Sequence, residues 1–333
     1  MRPSGILATI PTILPTRRSI FLWGQPGIGK STFVADVARS MGLQLLDVRA
    51  VLLDPVDLRG LPAADSGRQY VDWLLPKFLP HDPGSAGILF LDELPQAPPM
   101  VQSACLQLAL DHRIGDYELP EGWSVIAAGN RHTDRSGSHR LISSLANRFI
   151  HFHVDLSVDD WLTWALGAGI APEIRSFIRH RPTMLNTFDP ADSAQSVFAT
   201  PRGWHCAADV FRSVPMEYLL ETLQGIVGQA PAAEFVGFLE VCDKLPNLDG
   251  VFTNPDSEHV PTEASVLFAM CGAIVERARS ADTAKLGAMM RYLVRMPQEF
   301  QVVLVRDALA VNRGIQKAAG FSDWIDGNKH LLA

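Results

Sequence analysis

The chain has 333 residues, of which 47% are hydrophobic and 20% charged, and its formal net charge is −7 at pH 7. This composition allows two or three packed domains with an ample core. No apolar run is long enough to span a bilayer and residues 1–4 do not resemble a signal peptide, so we expect a cytoplasmic protein with no membrane partner. The mild acidity counts against broad nucleic-acid binding but is compatible with local basic patches.

After a lead-in interrupted by Pro3, Pro11 and Pro15, a glycine-rich loop separates a predicted strand (19–23) from a predicted helix (33–41). The loop fits the pattern G-x-x-x-x-G-K-[ST]. Such a loop holds phosphate oxygens with backbone N–H groups and a helix N-terminus, while its lysine reaches the β- and γ-phosphates and its hydroxyl ligates Mg²⁺. A chance glycine-rich turn is the alternative, and the flanking strand and helix count against it. The residues assigned to nucleotide binding are Gly24, Gln25, Pro26, Gly27, Ile28, Gly29, Lys30, Ser31 and Thr32.

Residues 43–48 read as a second strand, and the extended runs 58–61 and 69–73 predict a hairpin around a turn at 64–68. The next apolar run, 88–91, ends in Asp92 and Glu93. This pattern predicts a buried parallel strand with two carboxylates at its C-terminal tip, the edge at which open α/β sheets bind ligands. We assign Asp92 to the Mg²⁺ hydration shell and Glu93 to the attacking water.

The pattern then predicts a helix over 101–110, a second small hairpin over 112–119 and a further buried strand that ends at Asn130. Asn130 is either a sensor of the γ-phosphate and the water or an ordinary turn residue. A polar stretch and a short helix at 141–145 lead to Arg148 and a fifth strand over 150–154. We interpret the two histidines of that strand, His151 and His153, as packing or surface residues.

From Ser157 onward the pattern is helical, and Thr200 with Pro201 predicts the N-cap and first turn of one helix. Arg202 therefore lies at a helix start, where a cation opposes the helix dipole, which suggests an anionic partner nearby; a plain surface arginine is the alternative. The loop 246–261 is a candidate boundary within this region. The four cysteines are widely spaced and we interpret them as buried thiols of a reducing cytosol; they are Cys105, Cys206, Cys242 and Cys271.

These motifs, in this order, resemble the AAA+ ATPases, and within them the MoxR branch of the helix-2-insert clade. The residues that carry the MoxR resemblance are Asp57-Leu58-Arg59-Gly60, Leu119-Pro120-Glu121-Gly122-Trp123, Ala127-Ala128-Gly129-Asn130 and Asn147-Arg148-Phe149. The resemblance implies a P-loop NTPase core with a parallel five-stranded sheet at 1–155, an α-helical lid at 156–230 and a C-terminal helical extension at 231–333. The sequence departs from the family where Arg131-His132 follows Asn130 in place of Asn-Pro.

The resemblance further implies Walker A and Walker B motifs at 24–31 and 91–93, Asn130 as sensor 1, Arg148 as arginine finger and Arg202 as sensor 2. It implies a homo-oligomeric ring, usually a hexamer, that hydrolyses ATP with Mg²⁺ and remodels a protein client. A partner with a von Willebrand factor A domain is often involved. Arg140 is a rival candidate for the finger, and no residue identifies adenine over guanine.

Two other classes remain open from the sequence. A nucleic-acid-associated motor of the restriction or defence type is compatible with the local positive charge of Arg113, Arg131, Arg135 and Arg140. A non-hydrolysing nucleotide switch is the other class. The presence of Lys30, Asp92 and Glu93 counts against it, because a protein that does not hydrolyse has no need of a water-positioning acid.

Overall fold

The computed structural model describes residues 1–64, 66–67, 69–134, 141–192, 196–245 and 248–332. The chain forms two compact units. The first comprises Met1–Asp160 with a short segment from Asp189, and the second comprises Trp161–Phe188 with most of the chain that follows. The predicted turn at 64–68 lies partly outside the described residues, and Arg135 and Arg140 lie wholly outside them.

The first unit is an α/β unit in which helices alternate with strands. Its elements in chain order are α1 (Pro3–Ile13), β1 (Ile20–Trp23), α2 (Lys30–Met41), β2 (Gln44–Arg49), α3 (Pro55–Arg59), β3 (Leu61–Ala64), β4 (Val71–Leu74), β5 (Ala86–Asp92), α4 (Pro99–Asp111), β6 (Arg113–Ile114), β7 (Tyr117–Glu118), β8 (Gly122–Gly129), α5 (Ser143–Ala146) and β9 (Ile150–His153).

Among the described residues, five strands form one parallel sheet, as the family resemblance implies, and their order is β2-β5-β8-β1-β9. Successive residues of the central strands enter two separate cores: Phe90 packs with α1 and α2, whereas Leu89 and Leu91 pack with α4. Both faces of the sheet are therefore buried, which explains why these strands are continuous apolar runs. The C-terminal ends of β1, β5 and β8 lie side by side and carry the motif residues.

The two predicted hairpins are present as antiparallel pairs, β3 with β4 and β6 with β7. The first strand of the β3–β4 hairpin was placed too early, because residues 55–59 form α3, whose N-cap Asp54 makes a capping box with Asp57. Leu58 is consequently buried in a helix and does not belong to a strand.

The lead-in forms the helix α1, which was not predicted because of its prolines. Pro3 occupies the helix start, where the absence of an N–H group costs nothing. Pro11 lies inside the helix and forfeits one backbone hydrogen bond. Ile6 and Ile10 are fully buried at i, i+4 spacing, and burial of two such side chains contributes about 3–6 kcal/mol. This gain outweighs the proline cost of about 3 kcal/mol.

The second unit is helical, and α6 begins in the last residues of the first unit. Its helices are α6 (Val158–Gly167), α7 (Pro172–His180), α8 (Pro201–Val210), α9 (Met216–Val227), α10 (Gln229–Asp243), α11 (Leu248–Thr253), α12 (Ala264–Ala278), α13 (Thr283–Leu293), α14 (Gln298–Val311) and α15 (Phe321–Leu332). Thr200 is the N-cap of α8, as predicted, and accepts a hydrogen bond from the Gly203 N–H group at 3.0 Å.

Two expectations for the helical unit need correction. The candidate boundary loop 246–261 contains α11, whose Val251 is fully buried in the core of α12 and α13. Cys206 is exposed and Cys242 is half-buried, whereas Cys271, and Cys105 in the α/β unit, are buried with thiol pKa values raised to about 12 by that burial. Within the described ranges, no helix is both long and apolar enough to cross a bilayer. The division of the helices into a lid and an extension stays a prediction.

Candidate nucleotide-binding site

The glycine-rich loop lies between the C-terminal end of β1 and the N-terminus of α2. Gly29 is the N-cap of α2 with φ of 101°, a backbone conformation that side chains with a Cβ rarely adopt. A Cβ on Gly24 would lie only 3.2 Å from Cβ of Val154, so the loop packs closely on the end of β9. Within the described part of the chain no side chain caps the first turn of α2. Its N–H groups are thus placed to bind an anion.

Lys30 joins the loop to the end of β8. The side chain is 8% exposed, and its ammonium group donates to the carbonyl oxygens of Gly24 at 2.7 Å and Gln25 at 3.0 Å. It also donates to Oδ1 of Asn130 at 2.8 Å. Two residues that are 100 positions apart in the sequence therefore meet at the loop, and the amide of Asn130 faces the site.

Ser31 and Asp92 form the second contact between distant motifs. The Ser31 hydroxyl donates to Oδ2 of Asp92 at 3.0 Å, and Oδ1 of Asp92 accepts from the Glu93 N–H group at 3.0 Å. Partial burial and the nearby Asp92 carboxylate raise the pKa of Asp47. A hydroxyl and a carboxylate are the hard oxygen ligands that Mg²⁺ prefers. No cluster of three or more metal-binding side chains occurs among the described residues, so such an ion would complete its shell with water and phosphate oxygens.

Glu93 is one of few described non-glycine residues with positive φ, at 58°. Backbone conformations of this kind concentrate at functional sites. Its carboxylate lies 3.5 Å from the guanidinium of Arg49, a contact that the sequence did not suggest. Arg49 ends β2 and is in register with Asp92 of β5, so only the strand order reveals this pair.

Arg131, where the sequence departs from the family pattern, has a structural role. Its guanidinium donates to the Val154 carbonyl at 2.7 Å, and its N–H group donates to the buried carboxylate of Asp134 at 3.0 Å. Arg131 thereby ties the end of β8 to the end of β9. Because Val154 packs on Gly24, this contact braces the side of the phosphate loop.

The remaining predicted residues lie on different elements. Thr32 is exposed on α2, and Arg148 is half-buried between α5 and β9. The Nε atom of Arg148 is buried and has no hydrogen-bond partner within the described residues. Arg202 is exposed at the second position of α8 in the helical unit. The roles of these three residues stay predictions.

The family comparison agrees with this geometry. Residues 20–154 match the family model described as "ATPase family associated with various cellular activities (AAA)". The matched residues lie within the α/β unit, which has the P-loop fold of the AAA ATPases.

Among curated proteins, the chain is 30% identical over 169 residues to Midasin of Giardia intestinalis. The match covers 47% of this chain and the chain spans only 3% of that relative. Among solved structures, NtrX of Brucella abortus in complex with ADP is 16% identical, with a TM-score of 0.40 over 99% of this chain and 68% of the other. A candidate ATPase of Cytophaga hutchinsonii is 15% identical, with a TM-score of 0.37 over 93% of this chain and 81% of the other.

Proposed function

We propose that the chain is a Mg²⁺-dependent ATPase of the MoxR type that remodels or activates a protein client. The observation that carries the ATPase assignment is the convergence of Lys30, Ser31, Asp92 and Asn130 at one end of the sheet, whereas the MoxR type and the client rest on the sequence resemblance. A phosphate loop, a carboxylate for the metal shell and an amide for the terminal phosphate are the parts that in-line phosphoryl transfer requires.

Each residue has one role in the proposed reaction. Lys30 and the N–H groups at the start of α2 neutralise the phosphate oxygens, and Glu93 orients the water for in-line attack. Ser31 and Asp92 would hold Mg²⁺, which would neutralise negative charge on the phosphates. Asn130 contacts the γ-phosphate or the water, and Arg202 contacts the phosphates as sensor 2.

An arginine finger that acts on the nucleotide of a neighbouring subunit requires the subunits to assemble. We propose that the chain forms a homo-oligomeric ring, a hexamer, in which Arg148 reaches the nucleotide of the neighbouring subunit. Hydrolysis should then depend on protein concentration, because dilution to monomers separates Arg148 from the site that it serves. ATPase activity measured across a dilution series, with the oligomeric state followed by light scattering, tests this dependence. A specific activity that is independent of assembly would contradict the trans role.

The variants Lys30→Ala and Glu93→Gln separate binding from hydrolysis. We expect Lys30→Ala to lose nucleotide affinity, and Glu93→Gln to bind a fluorescent ATP analogue normally while its turnover falls about 10²–10⁴-fold. Glu121→Gln, which removes an exposed carboxylate outside the site, is the matched control and should retain full activity. Unchanged turnover in Glu93→Gln would overturn the assignment.

The Glu93→Gln chain also identifies the client, because it should hold ATP and remain on its target. Capture of a protein with a von Willebrand factor A domain, or of a protein that this partner recruits, would support the remodelling role. Salt-dependent capture of nucleic acid or of nuclease subunits would instead establish a motor and overturn the partner assignment.

A further inference from the structure

His151 connects the strand before the phosphate loop to the segment before Arg148. Its Nδ1 atom lies 2.8 Å from Nε1 of Trp23, the last residue of β1. Its Nε2 atom lies 2.8 Å from the carbonyl oxygen of Ala146, the last residue of α5. One side chain therefore contacts both the residue next to Gly24 and the residue two positions before Arg148.

The two hydrogen-bond partners determine which ring nitrogen of His151 carries the proton. An indole nitrogen only donates and a carbonyl oxygen only accepts, so Nδ1 of His151 accepts and Nε2 donates. Neutral imidazole with its proton on Nε2 satisfies both contacts at once. No other common side chain places an acceptor and a donor on opposite sides of one flat ring.

Aromatic contacts support this bridge. The rings of Trp23 and His151 are nearly parallel, with centroids 6.1 Å apart, and Phe21 stacks on Trp23 at 4.2 Å. Phe149 contacts Phe21 edge-on at 5.4 Å. The cluster thus extends from β1 to the residue that directly follows Arg148.

The backbone of Ala146–Arg148 is where this bridge acts. The Ala146 carbonyl accepts from His151 and from the Phe149 N–H group at 3.3 Å. Within the described residues, Nε of Arg148 has no partner that would orient the guanidinium. The backbone that His151 holds therefore contributes to the direction in which Arg148 projects.

We infer that His151, held by Trp23, is a positioning residue that sets Arg148 for the neighbouring subunit. This inference rests on the proposed trans role of Arg148. Loss of the bridge should lower hydrolysis in the neighbour's site, while the site of the altered subunit keeps its loop, Asp92 and Glu93. A residue needed only for folding would not separate the two sites.

Mixed assemblies test this separation. Chains with Glu93→Gln keep Arg148 but cannot hydrolyse, and chains with Arg148→Ala keep an intact site but lack the arginine. Neither assembly alone should turn over ATP, whereas their mixture should regain activity at the interfaces where Arg148 of one chain faces the intact site of the other.

His151→Phe, which keeps an aromatic ring and removes both hydrogen bonds, is then introduced into one component at a time. In the Glu93→Gln component, the arginine donor, we expect the mixture to lose activity about tenfold, since displacements of about 1 Å cost up to 10²-fold. In the Arg148→Ala component we expect activity within about twofold of the parent mixture, because no arginine from that chain is used. Trp23→Phe in the donor should give a smaller loss in the same direction.

The outcomes are distinguishable. His153→Phe, on the same face of β9, is the matched control and should leave the mixture unchanged in either component. The role of His151 would be overturned if His151→Phe lowered activity equally in both components. It would also be overturned if the variant caused no loss of activity in the Glu93→Gln component. A parent mixture without ATPase activity would instead refute the proposed action of Arg148 on the neighbouring subunit, and with it the inference for His151.

Discussion

The two units bury charged side chains in different settings. In the α/β unit, Lys30 and Asp92 are buried at one end of the sheet and contact a loop carbonyl and a hydroxyl. In the helical unit, Arg179 and Asp307 form a two-point ion pair at 2.7 and 3.2 Å between α7 and α14. Lys30 and Asp92 lie where a polar ligand can replace these contacts, whereas Arg179 and Asp307 neutralise each other.

This difference separates function from stability. The two-point contact engages both carboxylate oxygens of Asp307, and Oδ1 also accepts from Nε of Arg306 at 3.4 Å, so this carboxylate is held by protein contacts. Arg175 beside it is also buried, and burial lowers its pKa while Asp307 opposes this effect. Substitutions of Lys30 or Asp92 should therefore affect turnover and substitutions of Arg179 or Asp307 should affect unfolding, and the following predictions test that contrast in order of expected effect.

Arg148→Ala should have the largest effect. We expect assembled chains to lose about 10³–10⁵-fold in turnover, because an arginine finger stabilises transition-state charge by that factor. Steady-state ATPase assays at a concentration above assembly measure it, and thermal unfolding should change little. Arg113→Ala, an exposed arginine of the second hairpin, is the control. Normal turnover in Arg148→Ala would transfer the role to another cation.

Asp307→Ala should mainly affect stability. Removal of the carboxylate leaves Arg179 and Arg175 buried without their main counter-charge, which costs about 3–5 kcal/mol of unfolding free energy. Urea unfolding followed by circular dichroism measures the loss. Asp249→Ala removes an exposed partner of Arg277 and should cost at most about 1 kcal/mol.

A paired substitution sharpens this result. The double variant Arg179→Met with Asp307→Leu should recover most of the lost stability, since apolar replacement of a buried ion pair is often neutral. Loss of nucleotide binding in a folded Asp307→Ala chain would contradict the division between the two units.

Arg49→Ala should have a modest effect on turnover and almost none on stability. Both partners of the Arg49–Glu93 pair are partly exposed, and such pairs contribute about 0.2–1 kcal/mol. Release of Glu93 from a cation leaves the carboxylate freer to orient water, so we expect basal ATPase to rise about two- to fivefold. Arg39→Ala, which breaks an exposed pair on α2, should not change the rate. A fall in turnover would mean that Arg49 aids the reaction directly.

His112→Asn should have the smallest effect, on the pH dependence of stability. Burial, and secondarily Arg17, lowers the pKa of His112, so the folded chain keeps this imidazole neutral. As pH falls below about 6.5, the unfolded chain binds a proton that the folded chain does not, and stability falls.

Asparagine tolerates the left-handed backbone of His112 (φ 55°) and removes the titrating group. The variant should lose less stability than the parent between pH 7.5 and 5.5, with at most about 1.4 kcal/mol per pH unit at stake. Urea unfolding at the two pH values measures this difference. His81→Asn, at an exposed histidine, is the control. An unchanged slope in His112→Asn would show that other groups carry the dependence.

Much of the α/β unit was predictable because its signals are local. Buried parallel strands are continuous apolar runs, and Gly42 ended α2 where expected, with a left-handed backbone. The prolines of α1 misled the prediction because local propensity ranked above the burial of Ile6 and Ile10. The first strand of the β3–β4 hairpin was placed too early because residues 55–59 form α3. The capping box of Asp54 and Asp57 at the start of this helix was not recognised in the sequence.

The sequence by itself determined the chemistry of the phosphate loop, the two acids after β5 and the parallel α/β architecture, since each is written in consecutive residues. Only the tertiary structure decided which distant side chains meet: Lys30 with Asn130, Arg49 with Glu93 and His151 with Trp23. The physical reason is that strand order and register bring these residues together, and neither quantity is encoded in the spacing of any one segment. Side-chain contacts across a sheet arise from the packing of the whole unit.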